Sequence, residues 1–214
     1  MTNTSLVPRS VLATLRGLIP SRQVHEFYEA KKIAELQATR LLELHHITTG
    51  PVPVELIGEL PKIHIELSDM PVSGASFWDS RACQWVIQLN RYEGPRRQRF
   101  TLAHEYKHII DHGRSSGLYS GTAINTPAEQ AEQAADYFAG CLLVPKVLLK
   151  RAYYGGMQQV ADLARHFDVS EAAITCRLSQ TGIVTRSDRF RSDRRAFPGT
   201  FRYRMKPELQ LQGV

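Results

Sequence analysis

The feature that most restricts this chain is the run His104-Glu105-Tyr106-Lys107-His108. In a helix, histidines four residues apart lie one turn apart on one face, so both imidazoles reach a single ion with Glu105 beside them. Neutral imidazole nitrogens hold Zn²⁺ at about 2.0–2.1 Å, a carboxylate supplies a third ligand, and water takes the open position. The ion lowers the pKa of that water toward ~7, and Glu105 can accept its proton as the water attacks a peptide carbonyl. With 8 histidines in 214 residues, chance supplies only about 0.02 such matches.

Two histidines need a third ligand, and a second helix is legible over residues 127–143. Thr126, Pro127 and Glu129 form a capping box with proline at the first helical position. Ala131, Ala135, Phe138 and Leu142 make an apolar stripe, and Pro145 marks the end. Glu132 and Asp136 flank that stripe among alanines small enough for close helix packing. Glu132 is therefore the expected third ligand, and Asp136 the acceptor that fixes the tautomer of a ligand histidine. The competing reading of Glu129 and Glu132 is an acidic solvent face. His112 extends the histidine series to i+8, but a straight helix separates the outer two by ~12 Å, too far for one ion. It is expected to end the helix beside Gly113 or to contact substrate.

Phe100-Thr101-Leu102-Ala103-His104-Glu105, Glu132-Gln133-Ala134-Ala135-Asp136-Tyr137-Phe138-Ala139 and Leu142-Leu143-Val144-Pro145 together resemble the ImmA/IrrE family of metallopeptidases. The strand-like Trp85-Val86-Ile87-Gln88-Leu89-Asn90 and the turn Phe167-Asp168-Val169-Ser170 extend the resemblance over roughly residues 28–182. Tyr106-Lys107 replaces the more usual Leu-Gly, and Ala134 stands where many members carry an acidic residue, which leaves Glu132 as the acidic ligand there. The resemblance implies a cytoplasmic, gluzincin-like zinc peptidase that cleaves or inactivates helix-turn-helix repressors in mobile elements or stress responses.

Composition agrees with a globular chain of one domain or one domain with an appendage: 43% of residues are hydrophobic and 22% charged. Cys83, Cys141 and Cys176 are too scattered for a disulfide framework or a cysteine metal site. Without an apolar run near 18 residues or a hydrophobic leader, the expected location is the cytoplasm and no membrane contact is expected.

Residues 11–19 suggest a short helix closed by Pro20, and Ser21 a cap for a long amphipathic helix over about 22–44. Val54 to Ile57 suggest a short helix, and Ile63, Ile65 and Leu67 a half-buried strand. Two further strands are expected at Gly74–Trp78 and Cys83–Leu89, joined by a turn at Asp79, Ser80 and Arg81. Arg91, Arg96, Arg97 and Arg99 suggest a solvated loop, in preference to a substrate-binding patch. The Gly- and Ser-rich residues 113–126 should border the cleft, where Tyr119 or His112 is a candidate to hydrogen-bond an oxyanion.

Val160, Leu163, Ala164 and Phe167, a turn ending in Ser170, and then Ala173, Ile174 and Leu178 follow the helix-turn-helix pattern. Glu171, Thr175 and Arg177 are a thin set for reading bases, so a structural or repressor-docking role is preferred. Residues 186–214 carry eight basic side chains against three acidic ones, interleaved with Phe190, Phe197, Phe201 and Tyr203. That stretch suits DNA contact through residues 186–206, or equally a solubilising tail.

The expectation is an α+β, zincin-like fold with a small, mainly antiparallel sheet on the histidine helix and a helical, helix-turn-helix-like C-terminal unit. The divisions are a leader at 1–21, a peptidase domain at 22–150, the helical unit at 151–184 and a basic tail from 185. Its function would be zinc-dependent cleavage of a helix-turn-helix repressor, with Glu105 as base and His104, His108 and Glu132 as ligands; this donor set also suits Mn²⁺. The rival is a DNA- or repressor-binding regulator whose zinc is structural or non-catalytic.

Overall fold

The computed structural model describes residues 10–24 and 26–183; the expected basic tail and its DNA contacts, with residues 1–9 of the leader, lie outside them. Helix α1 (Val11–Arg16) starts at Ser10, whose side chain accepts from the Ala13 amide. Helix α2 (Phe27–Leu44) buries Ala30, Ile33, Ala34, Ala38, Leu41 and Leu42 along one apolar stripe, together with the polar Gln37, whose Nε2 donates to the Leu15 carbonyl at 3.2 Å. It begins five residues later than expected because Ser21 does not cap it. The stretch before it is held elsewhere, with the Val24 amide donating to the Gly117 carbonyl at 2.8 Å. A 3₁₀ turn (Val54–Ile57) leads into the sheet.

Three strands, β1 (Ile63–Ser68), β2 (Gly74–Asp79) and β3 (Gln84–Asn90), pair in the order β1-β3-β2. The expected mainly antiparallel sheet is corrected to a mixed one, because β2 runs antiparallel to β3 but β1 runs parallel to it. The physical reason is burial. Trp85, Val86, Ile87 and Leu89 make β3 the most apolar strand, so it takes the centre and β1 pairs along its other edge.

Helix α3 (Pro95–Asp111) packs against this sheet. It starts with proline at its first position, so the expected solvated loop is corrected: Arg96, Arg97 and Arg99 stand on its opening turns. A single turn, α4 (Ser115–Leu118), precedes α5 (Pro127–Leu143), which begins with the capping box expected from Thr126 and Glu129. Helix α5 lies between α2 and α3, and its alanines 134, 135 and 139 are fully buried in that contact. Pro145 ends α5 and also starts α6 (Lys146–Tyr154), a helix not anticipated in the sequence.

Helices α7 (Val160–Phe167) and α8 (Glu171–Thr181) pack on each other across a turn in which Asp168 is left-handed, and Ser170 caps α8. The Asp168 carboxylate meets Arg96 at 2.9 Å and Arg99 at 3.5 Å, clamping this turn to the start of α3. Among the described residues, no helix is long and apolar enough to cross a membrane.

Candidate metal centre

Helix α3 places His104 and His108 one turn apart, and close packing on α5 brings Glu132 up to both. The two Nε2 atoms are 3.0 Å apart, and Glu132 reaches His104 Nε2 with Oε2 at 3.2 Å and His108 Nε2 with Oε1 at 3.3 Å. The Nδ1–H of His104 donates to Asp136 Oδ1 at 2.9 Å, since a carboxylate can only accept. That bond leaves His104 Nε2 facing a carboxylate oxygen, a pairing that calls for a cation, a proton or a metal, between them.

The spacing fits one. Ligands about 2.0–2.1 Å from a tetrahedral ion lie about 3.3 Å from one another, and these three groups converge at that scale. Their electrostatics agree. Burial opposes charge on His104, whose side chain is 1% exposed, but its bonds to Asp136 and Glu132 prevail and raise its pKa to about 9. Burial likewise favours a neutral Glu132, yet the two histidines pull its pKa down to about 2. The cluster attracts positive charge, whether a proton or a metal.

Glu105 lies on the sheet side of α3, 6% exposed, and Ser76 of β2 donates to its Oε2 at 2.9 Å. Sequence reasoning missed Ser76. The available signal was the Gly-x-Ser step, which puts two small residues on one face of a strand. Gly74 is required there: a Cβ at this position would stand 2.4 Å from Thr101 Cγ2 and 3.2 Å from Glu105 Cγ. Its bare backbone lets β2 approach the helix closely enough for Ser76 to reach Glu105.

His112 caps the C-terminus of α3 and sets its ring edge-on to Trp85, with centroids 4.8 Å apart. Tyr119 is placed differently from its expected role on an oxyanion. It is buried, and its hydroxyl donates to Asp111 Oδ2 at 2.5 Å, so its one proton is already committed. Lys107, also buried, bonds the other oxygen of Asp111 at 2.5 Å. The same end of α3 receives Arg16 from α1, which donates to the Ile109 and Ile110 carbonyls at 2.8 and 3.2 Å.

A helix with two histidines and a carboxylate, faced by a third donor from a neighbouring helix beside a small sheet, defines a metallopeptidase-type fold. The family model described as the IrrE N-terminal-like domain (Peptidase_M78) matches residues 61–179, and the chain belongs to this metallopeptidase family. Among solved structures it is similar to one described as a Mycobacterium tuberculosis transcriptional regulator. The TM-score is 0.57 at 19% identity, over 80% of this chain and 52% of that one. This likeness is one of fold, and the chain spans about half the length of that regulator. No curated protein matches the chain.

Proposed function

We propose that the protein is a zinc-dependent endopeptidase whose substrate is a helix-turn-helix transcriptional repressor, so that cutting it derepresses the genes it controls. The observation that carries the reading is the convergence of His104, His108 and Glu132 with Glu105 on the adjoining face of α3. The three groups would hold the ion, and Asp136 would keep the His104 tautomer that presents Nε2. A divalent ion held there supplies Lewis acidity, polarising a peptide carbonyl and making water easier to deprotonate. The Glu105 carboxylate then accepts the proton of the attacking water and returns it to the departing amine. Ser76 steadies one of its oxygens and leaves the other for the proton. Strand β2 is an edge strand of the sheet, so its backbone offers an extended peptide a line of hydrogen bonds beside Glu105.

In this reading residues 22–150 are the peptidase domain and residues 151–184 a helix-turn-helix-like unit that docks the repressor. Protein docking is preferred to DNA reading for α8 because Arg177, the one cation of that helix, is 2% exposed. Its Nε donates to the Val144 carbonyl at 3.2 Å, which caps α5 and leaves no charge for phosphates or bases. The family supports a repressor as substrate and the cytoplasm as its place of action. The test is incubation of the zinc-loaded protein with each helix-turn-helix repressor encoded beside its gene. Discrete cleavage of one of them, absent with Glu105→Gln, supports the reading; metal-independent repressor or DNA binding without cleavage replaces it with the regulator.

A further inference from the structure

Beyond Glu105, the face of β2 turned toward α3 continues into a group of aromatic side chains that neither metal binding nor proton transfer uses. Side chains alternate along a strand, so Gly74, Ser76 and Trp78 share one face and Phe77 takes the other. Trp78 pairs across the sheet with Trp85, their rings meeting edge to face at 5.5 Å, and Trp85 in turn meets His112 at 4.8 Å. Trp85 is buried and His112 is exposed at the end of the histidine helix. Trp78 thus has its inner edge packed while 43% of it stays exposed on the side of the strand that bears Ser76.

Two spacings connect this group to the metal centre. His112 lies one turn beyond His108, ~6 Å along the helix axis. Trp78 lies one same-face step beyond Ser76, ~6.8 Å along the strand. A peptide extended along β2 with its scissile carbonyl level with Ser76 and Glu105 therefore brings its next same-face side chain to the Trp78 ring.

We infer that Trp78, backed by Trp85 and His112, is a specificity subsite that takes a large apolar side chain of the substrate, two residues from the scissile bond. The position of that bond rests on the peptidase reading above; the preference for an apolar side chain rests on the aromatic surface itself. Burying such a group against an indole, itself held rigid by its neighbours, favours Phe or Leu over Ala by about tenfold, the lower end of what an apolar pocket achieves.

The chain has only two tryptophans, and both belong to this group, so intrinsic fluorescence reports directly on it. The probes are capped octapeptides, acetyl-Ala-Thr-Ala-Xaa-Ala-Thr-Ala-Ala-amide, with Xaa as Phe, Leu, Ala or Lys. They are titrated into zinc-loaded Glu105→Gln protein, which binds without cutting. The Phe and Leu peptides are expected to shift the emission and bind about tenfold tighter than the Ala peptide. Trp78→Ala should erase that preference, with Trp85 still reporting. Phe77→Ala, which removes an equally exposed ring from the opposite face, should keep it. Equal affinities, no binding at all, a preference for Lys, or a preference that survives Trp78→Ala would each overturn the subsite. Incubating the same peptides with wild-type protein separates the two ideas: selective binding without cleavage leaves the subsite standing and counts against the peptidase.

Discussion

His104 is the residue on which the proposed centre turns, because one ring satisfies Asp136 through Nδ1 and would have to offer its Nε2 lone pair to a metal. If the Asp136 contact sets that tautomer, Asp136→Asn should weaken zinc binding by about 10–100-fold, the usual effect of removing such an outer carboxylate. Competition with a chromogenic chelator measures it, and unchanged circular dichroism would show that the helices persist. The same ring gives a pH prediction. In the metal-free protein its pKa is raised to about 9 against the burial that opposes charge, so at pH 7 the ring carries a proton that metal must displace. Zinc binding should therefore release about one proton per ion from His104 at pH 7 and none at pH 10, and affinity should rise with pH up to about 9. Calorimetry in two buffers of different ionisation enthalpy counts the released protons, those of the zinc-bound water included, and Asp136→Asn, which removes the bond that raises the His104 pKa, should lower the count at pH 7.

At the scale of elements, the approach of β2 to α3 sets where Glu105 stands. Gly74→Ala would press a methyl group into Thr101 and Glu105, and overpacking of this kind costs about 1–3 kcal/mol. Urea unfolding should show that loss, with hydrolysis falling more steeply because Ser76 leaves Glu105. The helices that carry the centre were legible because their signals are local: the capping box at Thr126 and Glu129, and the four-residue step between the histidines. Helix α2 starts late because its apparent cap, Ser21, lies in a stretch held through Val24 to Gly117, which no local pattern encodes. Arg96, Arg97 and Arg99 looked like a loop by charge alone, although Pro95 marked a helix start. Alternation revealed each strand but not which strand lies between which, so the parallel pairing of β1 with β3 and the reach of Ser76 to Glu105 emerged only in three dimensions. Arg177, in the sequence already part of a thin set for reading bases, is spent on the end of α5, a partner that no local pattern encodes.

Across the whole molecule, one ion would join two helices whose packing also anchors the sheet and, through Asp168, the α7–α8 pair. Removing it should therefore loosen more than the site. A metal present at a thousand times its dissociation constant stabilises the folded state by about 4 kcal/mol, so chelation should lower the melting temperature by several degrees, and added Zn²⁺ should restore it. In the proposed peptidase His104, His108 and Glu132 hold a metal for which Glu105 acts as base. This arrangement is tested most directly by elemental analysis of purified wild-type and Glu105→Gln protein, paired with a peptide-hydrolysis assay on the same samples. One zinc per chain is expected in both, with hydrolysis in the wild type alone. Absence of bound metal from both, or equal hydrolysis by both, would contradict it.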